Sequence, residues 1–441
     1  MGLRRVLSAS DAAWIVAGNM VGAGIFVTPG LVAERLPGPA PILLAWLLGG
    51  LLSLAGAAVY AELGTRLPLA GGDYQYLNAA FGPVWAFLTG WAAFILTFSA
   101  AAAALAIAAM EYLGRAFPAL ERLPSWAPSL GGASVLLVLA AANTAGARVA
   151  GWATAALTAI PVGGLLVLFA AGLLAPSADV AWPQSLAAPG EAWPLALGAV
   201  MLPIFFTYTG WNAAAYVAGE IRDPGRNLPK ALLGGTALVT LLYVTFNAGL
   251  LCALPMEVLA GSTSPGTEAA RRLLGPGAER TLSALIAAAI IGSANVTLMA
   301  GARVYYAMAR DSLAPRFLGT VNRAGVPGAA LWIGGVWSAV LAATGTFSRL
   351  LSWATLAMLL LSSLAVAAIF VVRRRGSGTS SYACPGYPFT PAAYLAVSLA
   401  VVIASAVADP ASSLVGLLLV AAGFPVYWLA KRWFGPPARD A

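Results

Sequence analysis

The 441 residues offer few side chains for chemistry: there is no histidine, there are two cysteines, Cys252 and Cys384, and 9% of residues are charged. Catalysis by acid, base or nucleophile needs such groups brought together in a site. No Cys or His cluster has the spacing of a metal site, so neither an enzyme nor a bound metal or cofactor is expected. The unusual chemistry lies in the main chain. GNMVGAGIFVTPG, residues 18–30, places Gly18, Gly22, Gly24, Gly30 and Pro29 in an apolar run. FFTYTGWNAAAY, residues 205–216, places Thr207, Thr209, Gly210 and Asn212 in another.

Gly18 and Gly22 fit a GxxxG face that lets two helices approach. Gly22 and Gly24 do not, because at 3.6 residues per turn they point about 200° apart. An opened helix explains both. Its first half ends in carbonyls without partners, and its second half begins with amide hydrogens without partners. Amides at Gly24, Ile25 and Phe26, at the positive end of the second half, suit a carboxylate. The carbonyls of Met20 and the segment after it, with those of Phe206, Thr207 and Thr209 in the second interrupted run, suit an ammonium group. A zwitterion fits between them. The central parts of spans 1, 3, 6, 8 and 10 hold no Asp, Glu, Lys or Arg, which favours a neutral side chain on the ligand.

The elements that position these breaks are membrane helices. With 60% hydrophobic residues and a mean hydropathy of +0.85, the chain lacks the polar surface of a soluble domain, about 25% charged. Cutting it at charged and Gly/Pro-rich joints leaves about twelve apolar runs of crossing length. They begin near residues 11, 40, 84, 131, 149, 194, 229, 279, 328, 350, 390 and 411. The runs lack barrel-type alternation, so an all-α polytopic bundle is expected. The first run has no cleavage-site pattern and reads as a retained helix. With both termini cytoplasmic, only Arg35, Arg115, Arg122, Arg271, Arg272, Arg280 and Arg349 of the 24 Lys and Arg fall outside, as the positive-inside rule requires. The net charge of +8 then faces the anionic inner leaflet and calls for no nucleic acid.

Three joints carry information. Residues 71–83, with Tyr74, Tyr76 and Phe81, read as a short interfacial helix. The outer segment 256–277 reads as a helical lid, and the Gly/Ser/Pro-rich inner segment 373–388 as a flexible linker. Residues 218–231 mix Glu220, Arg222, Asp223, Arg226 and Lys230. They read either as salt bridges of an inner gate or as a solvated loop that sets topology. Glu62 and Arg66 carry the same two readings. The two interrupted runs are spans 1 and 6, the separation expected of two five-helix halves, and such matched interruptions mark transporter binding sites.

At this point the chain resembles the amino acid, polyamine and organocation transporter superfamily, and within it the L-type amino acid transporters. Besides the two interrupted runs, the matches are YAELGTRLPLAGGDYQYL (60–77), the continuation AGEIRDPGRNLPKAL (218–232), RVYYAMARDSLAP (303–315) and YACPGYPFTP (382–391). The resemblance implies a leucine-transporter fold with twelve helices and discontinuous helices 1 and 6. Its core is residues 1–376, in inverted repeats of about 8–176 and 190–376, followed by a linker and two helices over 377–441. It implies exchange or facilitated diffusion of neutral amino acids by alternating access across the cytoplasmic membrane. A proton- or sodium-coupled symporter and a polyamine transporter are the alternatives.

Carried onto this sequence, the family pattern has Gly22, Ala23 and Gly24 hold the carboxylate, Met20 and Phe206 the amine, and the Phe206 ring act as outer gate. Asn295 matches a polar pocket position, with a helix-to-helix hydrogen bond as its alternative. Trp211 and Asn212 are further candidates. Where many members have a helix-5 lysine, this chain has Thr158, which removes a proton carrier. Ser293 and Thr297 offer oxygens to a sodium ion or, equally, bonds to their own backbone. The outer loop from Tyr112 to Leu130 has no cysteine, so a disulfide-linked heavy chain is not expected.

Overall fold

The computed structural model describes residues 3–36, 38–174, 193–344 and 347–434. Among these residues the structure is helical, with one isolated β-bridge between Leu7 and Ile221. The outer boundaries expected for the two repeats, near residues 176 and 190, lie outside the described residues.

Helix α1, Ala9–Met20, starts where the Ser8 hydroxyl accepts from the Asp11 amide at 3.2 Å and the Ser8 amide donates to the Asp11 carboxylate at 2.8 Å. This capping box satisfies two donors that a helix start leaves orphaned. The helix ends because the Gly22 amide turns back to the Met20 carbonyl at 2.8 Å and not to the carbonyl four residues earlier. Helix α2, Gly24–Ala33, resumes at 48° to α1.

Next come α3 (Pro39–Arg66), α4 (Asp73–Phe81) and α5 (Pro83–Ala116), then α6 (Ala127–Asn143) and α7 (Ala147–Leu174). Helix α8, Trp193–Thr207, is followed by a turn and the single-turn α9, Ala213–Tyr216. After them run α10 (Pro224–Ala253), α11 (Pro265–Leu274), α12 (Pro276–Arg310), α13 (Gly328–Ala343) and α14 (Phe347–Arg374). The chain closes with α15 (Phe389–Ala408), α16 (Pro410–Ala421) and α17 (Gly423–Phe434).

Among the described residues eight helices are long and apolar enough to cross a membrane, or nine with the α1–α2 pair taken as one. Helices α6 and α13 and the apolar part of α8, Ala196–Thr207, are shorter. The protein is thus a multi-pass helical membrane protein. Helix α5 lies along α12, α3 lies along α10, and α1 is packed among α7, α10 and α12. Within α5, residues Ala93–Thr97 form a π-helical turn.

The loops on the face that carries the N-terminus are tied by buried charge. Arg303 gives Nε and Nη2 to the two Glu220 oxygens at 2.8 and 3.0 Å, and both side chains are buried. Of the two readings for residues 218–231, Glu220 follows the ion pair, and its partner lies in α12. Glu62 is buried under Arg66 and Arg373 and also accepts the Cys384 amide at 2.8 Å.

The segment 373–388 is therefore not the free linker its composition suggests. Arg66 donates to the Gly378 carbonyl, Thr65 and Ser380 share a hydrogen bond, and Ser381 donates to Gly225. Gly/Ser composition makes a chain flexible only where no outside group takes its polar atoms. Helix α4 is present as expected, but Tyr74 and Tyr76 are fully buried, so it packs inside the protein and does not lie on an interface.

On the opposite face, the short helix Met256–Leu259 and α11 lie against α2. A Cβ on Gly30 would stand 2.1 Å from the Ser262 carbonyl oxygen, so this glycine is what allows the close approach.

Candidate functional site

A cavity of about 320 Å³ lies where the α1–α2 break faces the end of α8, walled by α5, α12 and α14. The two breaks touch each other. Gly210, with φ +101°, sits so close to Asn19 that a Cβ would stand 2.9 Å from its carbonyl. Gly24 packs on Thr207, and the hydroxyls of Thr28 and Thr207 share a hydrogen bond of 2.8 Å. Tyr243 of α10 joins the ends of the two half-helices by donating to the Met20 carbonyl at 2.6 Å, with the Thr207 carbonyl at 3.4 Å.

Met20, Gly22, Ala23 and Gly24 line the cavity from the first break, and Phe206, Thr207, Thr209 and Asn212 line it from the second. Ile25 is fully buried behind them. Among the described residues no acceptor takes the amides of Ala23, Gly24 or Ile25, whereas the Phe26 amide turns to the Ala23 carbonyl. The amide set of the opened helix is therefore displaced one residue toward the N-terminus from the expected Gly24 to Phe26.

Two of the carbonyls expected to hold an amine, those of Met20 and Phe206, are already engaged. Met20 accepts from Tyr243 and from the Gly22 amide; Phe206 accepts from the amide and the hydroxyl of Thr209. A carbonyl oxygen has two lone pairs. Gly22 lines the same cavity, and its carbonyl takes no hydrogen bond among the described residues.

Ser293 and Thr297 reach the cavity, and their hydroxyls bind α1: Ser293 donates to the Asn19 carbonyl and Thr297 to the Asn19 side chain, both at 3.1 Å. Asn295 does not line the cavity. Its carbonyl oxygen accepts from Asn143 at 2.6 Å and its amide donates to Thr154 at 3.0 Å, which is the helix-to-helix alternative. Trp211 also turns away, into an aromatic cluster with Tyr60 and Tyr394. Thr158 donates to the Thr154 carbonyl and faces Gly18, whose Cβ would stand 2.6 Å from the Thr158 hydroxyl. Gly18 is thus the helix-packing glycine of the stretch.

Helix α5 supplies the long wall. Thr89, Ala93, Thr97, Ala101 and Leu105 all face the cavity. Past Ala108, toward the face opposite the N-terminus, Phe26 meets Tyr112 and Phe246 at centroid distances of 6.4 and 6.3 Å. At the other end stands Asp73, which the sequence reading had not placed in the cavity. It accepts from the Tyr60 hydroxyl at 2.7 Å. Burial pushes its carboxyl up to about 6, against the pull of the Tyr60 and Tyr216 hydroxyls.

A family model described as amino acid permease matches residues 7–428. The chain belongs to the amino acid permease family. This permease is 29% identical to the serine/threonine exchanger SteT of Bacillus subtilis (strain 168), over 98% of each chain. It is 27% identical to the b(0,+)-type amino acid transporter 1 of Mus musculus, over 94% of this chain and 85% of the relative. It is 28% identical to the large neutral amino acids transporter small subunit 2 of Homo sapiens, over 99% and 82%. These relatives, with the family match, make the permease an amino acid transporter of the L-type group within the wider superfamily, and not an enzyme.

Proposed function

We propose that this permease exchanges or facilitates neutral L-amino acids across the cell membrane by alternating access, with both termini in the cytoplasm. Twelve spans in a leucine-transporter fold, with helices 1 and 6 discontinuous, form the frame of this reading. One observation carries it: Ala23 and Gly24, whose amides have no acceptor among the described residues, line the cavity at the positive end of α2. A carboxylate takes these amides, and the Gly22 carbonyl accepts from the ammonium group beside it. Phe206 covers the site as its gate, and Thr207, Thr209 and Asn212 meet the side chain.

The relatives support this reading, since SteT is a serine/threonine exchanger. The test is counterflow. Purified permease in liposomes preloaded with unlabelled amino acids takes up labelled alanine, serine or leucine, with no dependence on sodium. Absence of uptake across a broad panel refutes the reading.

One observation favours a second reading, a proton-coupled symporter: Asp73 gives the cavity a titratable group, which α7, with Thr158 in place of a lysine, does not. Uptake driven by an inward proton gradient into empty liposomes would select it.

A further inference from the structure

Three carboxylates are buried among the described residues: Glu62, Asp73 and Glu220. Glu62 is held by two guanidinium groups and Glu220 by one. Among the described residues Asp73 has no cation partner, and it is the one of the three that lines the cavity. Its neighbours are the tyrosines Tyr60, Tyr76, Tyr216 and Tyr394, from α3, from its own helix, from α9 and from α15. The Tyr60 hydroxyl donates to it at 2.7 Å, and the Tyr216 hydroxyl beside it favours its charged form. A carboxylate offers about four acceptor positions, so two tyrosine hydroxyls leave room for a further donor.

Its place in the cavity separates it from the amide site. Tyr216 stacks edge-on against Phe98 at 5.1 Å, and a Cβ on Gly22 would touch Leu105 at 3.5 Å. Phe98 and Leu105 lie seven residues apart on α5, roughly 10 Å along a helix rising 1.5 Å per residue. The ammonium and carboxylate of one α-amino acid, both carried on the same carbon, do not bridge that distance. Both ends nevertheless belong to one cavity.

We propose that Asp73, between Tyr60 and Tyr216, is a second subsite at the cytoplasmic end of the cavity, which takes the α-ammonium group of an amino acid entering from or leaving to the cytoplasm. The inference rests on the transport function and orientation proposed above. An ammonium group brings three donors and a full charge, which is what this buried, cation-free carboxylate lacks. Burial raises the Asp73 carboxyl to about 6, and among the described residues no guanidinium or ammonium side chain offsets that cost.

The experiment uses the full chain in liposomes of defined orientation, with labelled alanine offered from either side. Asp73→Asn is expected to raise the cytoplasmic-side KM by about tenfold or more, the size of a lost charge-assisted hydrogen bond, while the external-side KM stays within twofold. In the wild type the cytoplasmic-side KM is expected to rise as pH falls from 7.5 to 5.5, and in Asp73→Asn to be flat. Equal KM changes on both sides, or none, overturn the subsite. Should Asp73→Asn fail to fold, the wild-type profile decides alone, and a flat cytoplasmic-side KM overturns it. A wild type that moves no amino acid at all refutes the transport reading instead, so the two failures are distinguishable.

Discussion

Gly22 and Gly24 both line the cavity, yet the same substitution is expected to be costly at one and neutral at the other. A Cβ on Gly24 would stand 2.8 Å from the Thr207 hydroxyl and 3.1 Å from the Thr207 Cα. Ordinary carbon contacts are 3.5–4.0 Å, so α2 and α8 must part by roughly half an ångström, and the 2.8 Å bond between Thr28 and Thr207 lengthens with them. The obstacle is backbone, which has no rotamer to change. A Cβ on Gly22 meets Ser293 and Leu105 at 3.4 and 3.5 Å, near ordinary contact. Overpacking of this kind costs about 1–3 kcal/mol, roughly a 5- to 150-fold shift in an equilibrium that needs α2 against α8. Gly24→Ala is therefore expected to lower the melting temperature in detergent and to slow alanine counterflow by about an order of magnitude. Gly22→Ala is expected to melt with the wild type. Tryptophan fluorescence on heating and liposome counterflow measure the two. Equal melting of Gly24→Ala and wild type, or a larger loss in Gly22→Ala, would refute the argument that Gly24 is fixed by its contact with Thr207.

Removing one partner of the buried Glu220–Arg303 pair leaves a charge without a counter-charge, which costs about 3–5 kcal/mol. Glu220→Ala should melt well below wild type, and Glu220→Met combined with Arg303→Leu should recover most of the loss; a double variant no better than the single one contradicts this. Glu62→Gln weakens the anchor of the Arg373 guanidinium and the Cys384 amide. Hydrogen exchange over residues 377–388 should then quicken, and unchanged protection would show that the segment is held by other contacts. With a carboxyl raised by burial from 3.8 to about 6, native Asp73 retains a proton that the unfolded chain releases. Stability is then lost as pH rises from about 4 to about 6 and levels off above. Melting curves of Asp73→Asn should lack that slope, and a slope equal to the wild type's would assign the titration elsewhere.

The end of α1 and the start of α2 were legible because glycine acts locally: it loosens a helix wherever it sits. The cavity-lining place of Gly22 to Gly24 and of Phe206, Thr207 and Thr209 followed from pairing two such weak points. Orientation of side chains was not legible in the same way. Asn295 turns from the cavity because Asn143 and Thr154, far away in sequence, satisfy its amide. Asp73 was not legible as a cavity residue because it lies outside the apolar runs, on a segment whose aromatics resemble those of an interfacial helix. Only the fold shows that this segment is inserted beneath Tyr60 and Tyr216. Residues 373–388 have the composition of a flexible linker, and the acceptor that fixes them, Glu62, lies more than 300 residues earlier.

The π-helical turn at Ala93–Thr97 sets a rule about length. Thr89, Ala93, Thr97, Ala101 and Leu105 face one cavity, yet in a uniform α-helix each four-residue step overshoots a full turn by about 40°, so the last would face roughly 160° from the first. The wider turn absorbs part of that overshoot. Deleting one residue at Ile95 would swing everything beyond it about 100° around the helix axis and carry the Ala101 and Leu105 surface off the cavity. The identities of the wall residues are open to variation among small and apolar types, but the number of residues between Thr89 and Leu105 is not. Insertions and deletions should be harmful here and should be rescued only by an opposite change within the same helix.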